Sequence, residues 1–502
     1  MIKLYRWAYH LKSAYSYVHL MIVLPLKGCL IVLQEEVKQK LTAILGPGRF
    51  KDDPQSLVTH SYDGTPMLQS LPDAVIYPER TAQVSEVMKV LSEYQVPLIS
   101  RGSGTNLCGG TVPVEGGIVM VMHRMNRILE VDMENLTAIV QPGLNTKEFI
   151  LHVESLGLFY PPDPSSMSIS TIGGNIAECS GGLRGLKYGT TKDYVIGLEA
   201  VLASGEVIRT GGKLMKDVAG YDLTKLLVGS EGTLAVITEA TLKLIPPPKA
   251  KKTMLAMYKD LYGAARTVSK IIENQIIPAT LEFLDNSTIR VVDDFAKLGL
   301  PLDMEAILLI EQDGDPEAVE RDIALIESIC RSENADRVEV AASEEEALKL
   351  LTARRSAFTA LARLRPTTIL EDATVPRSKI ADMVMEINRI AKKHQVTICT
   401  FGHAGDGNLH PTATTDARDA EEVHRVEAAF AEIFEAAIKL GGTITGEHGV
   451  GLVKAPFLEW KVGAAGIQVM KGIKQAFDPL NLLNPGKVFA KESRKRVVID
   501  RG

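Results

Sequence analysis

The chain has 502 residues, 45% of them hydrophobic and 24% charged, and a net charge of −6. It is long for one core, so two or three domains are expected, and without a long basic run there is no electrostatic reason to expect nucleic acid. The five cysteines, Cys29, Cys108, Cys179, Cys330 and Cys399, form no Cys-x-x-Cys, which argues against a disulfide framework or an iron–sulfur cluster bound by this chain and fits a reducing compartment.

Residues 18–33 are apolar after a mildly basic start, but Pro25 and Lys27 interrupt them and the stretch is short for a membrane span. Three readings of residues 1–33 stay open: a poor signal or membrane-surface segment, an ordered apolar extension, and an upstream, non-native start. A cytoplasmic protein is expected, with peripheral attachment to the inner face of the membrane left open. Globular character begins near Gln34.

The pattern then alternates short strands with helices, starting with a strand over 74–77 and a helix from Thr81, its N-cap, with Val84, Val87, Met88 and Leu91 on one face. A strand over 96–100 runs into Arg101-Gly102-Ser103-Gly104-Thr105-Asn106-Leu107-Cys108-Gly109-Gly110, a loop whose small residues expose backbone N–H groups suited to a pyrophosphate. It is not the Rossmann fingerprint, because Leu107 stands where the third glycine belongs and no helical pattern follows. Strands over 117–122, 128–132 and 136–140 and a helix over 146–156 come next. A second glycine-rich tract spans 168–175 and continues through Gly181, Gly182 and Gly189, and a third spans 229–234. As mere connections, three such loops would be costly in chain entropy; lining an extended phosphate-bearing cofactor gives them a purpose.

The run Pro246-Pro247-Pro248 breaks the pattern and marks a boundary between residues 34–247 and 248–490, with 491–502 a polar tail. Beyond it, strands over 280–284 and 306–311 alternate with helices over 316–331 and 343–361, which reads as helices against one antiparallel sheet and an α+β class overall. Next come strands over 396–403 and 408–413. If Asp406-Gly407 is a two-residue turn, His403 opposes His410 and both imidazoles reach one metal ion from the same face. Glu447, in Gly446-Glu447-His448-Gly449, is the best third ligand, leaving an open position for substrate and His448 free for proton transfer.

These residues resemble the FAD-linked oxidases with a vanillyl-alcohol-oxidase or PCMH-type flavin domain, and within them the D-lactate dehydrogenase and glycolate oxidase large-subunit group. The carriers are Pro78-Glu79-Arg80-Thr81, the 101–110 loop, Pro161-Pro162-Asp163-Pro164, Thr171-Ile172-Gly173-Gly174-Asn175, the 229–234 tract, the 403–410 run, the 446–449 run and Asn484-Pro485-Gly486-Lys487. The resemblance implies an FAD-binding domain of two α+β subdomains, a substrate cap domain with an antiparallel sheet, and a C-terminal helical segment. It implies FAD contacts from Arg101, Gly102, Ser103, Gly104, Thr105, Asn106, Gly109, Pro162, Asp163, Ser168, Thr171, Gly174, Asn175, Ile237 and Asn484. Some relatives attach flavin covalently through a histidine in the first loop; none lies between Arg101 and Gly110, so noncovalent FAD is expected, with Cys108 the one exception in the loop.

It further implies a divalent metal, zinc, manganese or iron, held by His403, His410 and Glu447, with His448 as general base while hydride leaves for flavin N5. Arg354 matches the arginine that clamps the substrate carboxylate, unless the match is one residue off and Arg355 does so. The leading reading is oxidation of a D-2-hydroxy acid, lactate or glycolate, with electrons passed to a quinone, cytochrome, electron-transferring flavoprotein or iron–sulfur subunit. A second makes the chain the flavin subunit of a glycolate oxidase complex, inactive alone; a third, a flavin-binding relative with no such oxidation and no metal. A homodimer stays open.

Overall fold

The computed structural model describes residues 33–489, so the readings of residues 1–32 and of the 491–502 tail lie outside the described residues. Three sheets follow one another along the chain. The first takes β1 (Phe50–Lys51), β2 (Ala74–Ile76), β3 (Leu98–Arg101) and β4 (Ile118–Val121) in the order β1-β2-β4-β3. β2, β4 and β3 run parallel. Parallel strands are buried on both faces, which is why Ala74–Ile76 and Ile118–Val121 are unbroken apolar runs. Helices Glu35–Leu45 and Thr81–Tyr94 cover one face, sharing Val37, Leu41, Val84, Val87, Met88 and Leu91 with Ile76, Leu98 and Met120 in one core. Thr81 is not the cap of its helix: Arg80 holds that position, and the Thr81 hydroxyl donates to buried Glu199 instead.

The second sheet is antiparallel throughout, with β5 (Ile128–Asp132), β6 (Thr137–Val140), β7 (Val195–Val201), β8 (Val207–Gly211) and β9 (Val236–Lys243) in the order β5-β6-β9-β7-β8. Helices Thr146–Ser155 and Ile172–Glu178 pack on it through Phe149, Val153, Ile172 and Ile176. The connection from β6 to β7 carries the second glycine tract, and that from β8 to β9 the third.

After the prolines at 246–248 the chain builds the third sheet from β10 (Ala250–Tyr258), β11 (Thr280–Asp285), β12 (Ala306–Gly314), β13 (Arg337–Val340), β14 (Thr367–Leu370), β15 (Ala373–Thr374), β16 (Thr397–His403) and β17 (Asn408–Thr415). All its pairs are antiparallel, in the order β13-β10-β12-β11-β16-β17-β14, with β15 also on β17. The long helices Leu261–Glu273, Pro316–Ser332, Ile380–His394 and Ala420–Lys439 bury one face. Helices stand on the other face too: Asn286–Ala296, Glu344–Arg355 and Ala357–Leu361 pack on Leu284, Ile307, Leu309 and Phe401. The helix expected over 343–361 is therefore two. Ser343 caps the first, and the second begins past Ser356, whose hydroxyl donates back to the Ala353 carbonyl at 2.8 Å.

The chain finally returns to where it began. After helix Leu458–Phe477, Leu98 N–H donates to the Leu482 carbonyl at 2.8 Å and Asn484 N–H to that of Leu98 at 2.7 Å, adding the C-terminal segment beside β3. The architecture is α+β, with the three glycine tracts facing the second, shorter-helix side of the third sheet.

Candidate active site

The β16–β17 hairpin sets the geometry. Its turn is four residues, not two, because Asp406 and Gly407 N–H both donate to the His403 carbonyl and the Asp406 carboxylate takes the N–H of Asn408. Gly407 sits at φ +87°, where any Cβ would collide with the Val375 carbonyl. The register is therefore Phe401 opposite His410 and His403 opposite Asn408, two residues from the expected one. A slip of two leaves every side chain on its own face. His403 and His410 still share a face, as diagonal neighbours with ring centroids 5.1 Å apart.

Glu447 completes the group: its Oε1 lies 3.2 Å from His403 Nε2 and 3.3 Å from His410 Nε2. One donor atom from each of the three lies within 4.8 Å of the others, the set of two imidazoles and a carboxylate that catalytic divalent sites use. Burial alone would raise the Glu447 carboxyl, but the two imidazoles hold it well below its ordinary range. Burial would lower His403, yet Glu282 and Glu447 on either side carry it well above. His410, pushed down by burial, keeps Nδ1 without a hydrogen-bond partner.

His448 stacks on His410 at 5.2 Å and 15° and is pushed down to about 4 by burial, against the pull of Asp372. It is neutral at pH 7 and able to accept a proton. Asp372, missed in the sequence, builds this turn: its Oδ2 accepts N–H bonds from Gly446 at 2.6 Å and Glu447 at 2.9 Å. Its Oδ1 lies 3.5 Å from His448 Nδ1 and pairs with Lys454, which is fully buried. Taking either member of such a pair away leaves an uncompensated buried charge, at a cost of about 3–5 kcal/mol.

Arg354 is 3% exposed, stands over the Phe401 ring at 4.8 Å and pairs with Glu282, also missed. Its Nε has no hydrogen-bond partner. Arg355 is committed elsewhere, to the Asp163 carboxylate and carbonyl. Both arginines thus face a carboxylate, and Arg354 is the one with a buried Nε left unpartnered.

These groups share a cavity of about 440 Å³ with the glycine tracts. Of the residues expected at FAD, Arg101, Gly102, Ser103, Gly104, Thr105, Asn106, Ser168, Thr171, Gly174, Asn175 and Ile237 line it; Gly109, Pro162, Asp163 and Asn484 do not. Gly109 N–H donates to Thr65 Oγ1 at 2.6 Å, behind the loop. Asp163 faces Arg355. Asn484 gives its amide to the Gly110 and Glu231 carbonyls at 2.8 and 2.7 Å. They support the wall rather than form it.

The glycines let the tracts pack closely, leaving their backbone along the cavity. A Cβ at Gly102 would run into Thr171 Oγ1, and one at Gly104, at φ +70°, into the Arg101 guanidinium, which is anchored to the Tyr62 carbonyl at 2.7 Å. Ser103 Oγ donates to the Ile169 carbonyl at 2.6 Å, tying the first tract to the second. A Cβ at Gly181 would meet the Glu447 carboxylate at 2.5 Å, so the second tract in turn touches the histidine cluster.

Family comparison agrees with this division of labour. A FAD binding domain matches residues 72–211, and the C-terminal domain of FAD linked oxidases matches residues 247–488. Glycolate oxidase subunit GlcD of Bacillus subtilis (strain 168) is 63% identical, over 94% of this chain and 100% of its own length. The chain belongs to the FAD-linked oxidases. A D-lactate dehydrogenase of Anaerostipes hadrus is 35% identical to this FAD-linked oxidase, over 84% of this chain and 90% of its own. Two solved structures share its fold at lower identity. p-Cresol methylhydroxylase has a TM-score of 0.76 and 17% identity, covering 90% of this chain and 96% of its own. An alkyldihydroxyacetonephosphate synthase has a TM-score of 0.71 and 19% identity, covering 90% and 86%. At those identities they speak for the PCMH-type fold alone. Among the described residues of the oxidase, no helix is long and apolar enough to cross a membrane.

Proposed function

We propose that this FAD-linked oxidase removes two electrons and two protons from a small D-2-hydroxy monocarboxylate, glycolate or D-lactate, to give the 2-oxo acid. The observation that carries the reading is one cavity in which His403, His410 and Glu447 converge beside a neutral His448 and an arginine with an unpartnered Nε. When bound, FAD accepts the hydride equivalent and a divalent ion at His403, His410 and Glu447 polarises the substrate's hydroxyl and carboxylate oxygens. Arg354 takes the carboxylate through its guanidinium. His448 accepts the hydroxyl proton on its ring nitrogen, and Asp372, beside Nδ1, favours the imidazolium so formed. Phe358, Leu370 and Phe401 line the same cavity and keep water out.

Substrate size follows from charge. The arginines and lysines lining the cavity, among the described residues, are Arg101, Arg354 and Arg355. Arg101 is held by Tyr62 and Arg355 by Asp163. Arg354, though paired with Glu282, keeps Nε unpartnered, and with no second such arginine among the described lining residues a monocarboxylate is favoured over a dicarboxylate such as 2-hydroxyglutarate.

Anaerobic mixing of the metal-replete holoprotein with D-lactate, L-lactate, glycolate and D-2-hydroxyglutarate tests this, following flavin absorbance near roughly 450 nm. Bleaching by glycolate or D-lactate, slowed about 10²–10⁴-fold in His448→Ala, is expected. Bound flavin that none of them bleaches would sink the substrate class.

A second reading concerns electron exit. The Bacillus subtilis and Escherichia coli (strain K12) relatives are named as subunits of glycolate oxidase, which favours a partner subunit as electron acceptor for this chain. Steady turnover of the isolated chain with an artificial acceptor, but none with a soluble quinone unless partner subunits are added, is the expected outcome.

A further inference from the structure

Glu282 lies between Leu281 and Phe283 in β11, in the sequence Thr280-Leu281-Glu282-Phe283-Leu284-Asp285, and its side chain is 0% exposed. Its two oxygens serve different partners. Oε1 lies 2.6 Å from His403 Nδ1, and Oε2 forms the ion pair with Arg354. β11 pairs with β16 at Phe283 with Gly402 and Leu284 with Phe401, so Glu282 comes up on the site face one strand away from His403. A carboxylate buried between apolar neighbours is unfavourable unless paired, and this one is paired twice.

Each contact fixes an atom that the chemistry needs. A carboxylate on Nδ1 keeps a proton there, so that Nε2, which faces Glu447 Oε1 at 3.2 Å, is the nitrogen a divalent ion would take. The same carboxylate pins Arg354 with its Nε unpartnered, while Phe401 supports the guanidinium plane. The ion-holding ring and the carboxylate-holding fork are thereby mounted on one side chain.

We propose that Glu282 is a positioning residue that couples His403 to Arg354, so that binding of the ion and binding of the acid reinforce each other; this rests on the metal-assisted oxidation proposed above. The coupling is reciprocal by linkage: whatever factor the ion adds to acid affinity, the acid adds to ion affinity. Direct contact between ion and acid contributes part of that factor, and the coupling assigns a further part to Glu282.

The test uses full-chain holoprotein freed of divalent ions and titrated with Mn²⁺, with bound metal read by equilibrium dialysis. Oxalate, which cannot be oxidised by hydride transfer, serves as the acid probe through its perturbation of the flavin spectrum. In the wild type, Mn²⁺ is expected to tighten oxalate at least about fivefold. In Glu282→Gln, Mn²⁺ affinity is expected to fall about 10–100-fold and the mutual tightening to shrink to the part that direct contact of ion and acid supplies. Unchanged Mn²⁺ affinity and unchanged tightening in a flavin-loaded Glu282→Gln protein would overturn the coupling alone. A wild type with no Mn²⁺ site that His403→Ala removes would overturn the metal reading and the coupling with it. If Glu282→Gln fails to fold, Glu282→Asp, which keeps the charge and shortens the reach, is expected to show the same reduced tightening while retaining flavin.

Discussion

Gly104 and Phe358 show how single side chains divide the cavity. At φ +70°, with the Arg101 guanidinium where a Cβ would go, Gly104 leaves neither conformational nor steric room for alanine. Gly104→Ala is expected to lower bound flavin per chain severalfold with little loss of folded protein; the ratio of flavin to protein absorbance measures it, and full flavin would contradict the cradle. Phe358 lies at the other end, among the apolar residues near Arg354. Phe358→Arg supplies a second cation, so the preference for D-lactate over D-2-hydroxyglutarate, read as a ratio of kcat/KM, is expected to shift at least about tenfold toward the dicarboxylate. One charge-assisted hydrogen bond, about 1.5–3 kcal/mol, is enough for that.

At the scale of elements, Asp285 joins β11 to the next helix. Its carboxylate caps Asn286–Ala296 through Thr288 N–H at 2.8 Å and accepts Thr400 N–H from β16 at 2.7 Å. Burial pushes it up to about 6 despite those bonds. A carboxyl raised in the fold binds its proton more tightly there than in the unfolded chain. Its contribution is therefore fully present below about pH 4 and fades as pH rises through about 6. Asp285→Asn, which does not titrate, is expected to lag the wild type by more at pH 4 than at pH 7 in thermal melts, by on the order of 1–3 kcal/mol. An equal lag at both would reject the raised carboxyl.

Elements also mark where the sequence was readable. The hairpin was visible from Asp406-Gly407 and its apolar flanks, and the face shared by His403 and His410 survived a register error because strand faces repeat every two residues. The turn length was not visible, since it depends on Val375 arriving from a different strand connection. The helix break at Ser356 was hidden by unbroken helical propensity on both sides. Glu282 did carry a signal, a charge inside a run that otherwise reads as buried strand. Asp372 and Lys454 gave less, because their pairing spans 82 residues and nothing local announces it. The glycine tracts were legible as loops, but which glycines face the cavity depends on how the tracts pack.

Across the whole molecule, the flavin half and the sheet half are joined by a small apolar cluster of Leu68, Val112, Val114 and Leu452, by the backbone bonds of Leu98 and by polar side chains, rather than by one continuous core. Arg355 grips Asp163, Tyr188 donates to Asp313 at 2.7 Å, and Glu231 accepts the N–H groups of Val450 and Gly451 at 2.6 and 2.7 Å. Asn484 is part of the same stitching. Asn484→Ala strands the Gly110 and Glu231 carbonyls, at a cost of about 1–3 kcal/mol. It is expected to weaken FAD retention on dilution while leaving the KM of the loaded enzyme within about twofold; a large rise in KM would mean that Asn484 acts on the substrate directly.

That last contact also sets an order of events during synthesis. The Asn484 side chain meets the Gly110 carbonyl across 374 residues of sequence. At roughly 5–20 residues per second, a ribosome needs about 20–75 s to make what lies between. The glycine loop leaves the exit tunnel early and waits for the end of the chain to supply this brace. A message cut short between residues 235 and 483 yields a protein that has every loop of the dinucleotide cradle and none of the clasp that closes it.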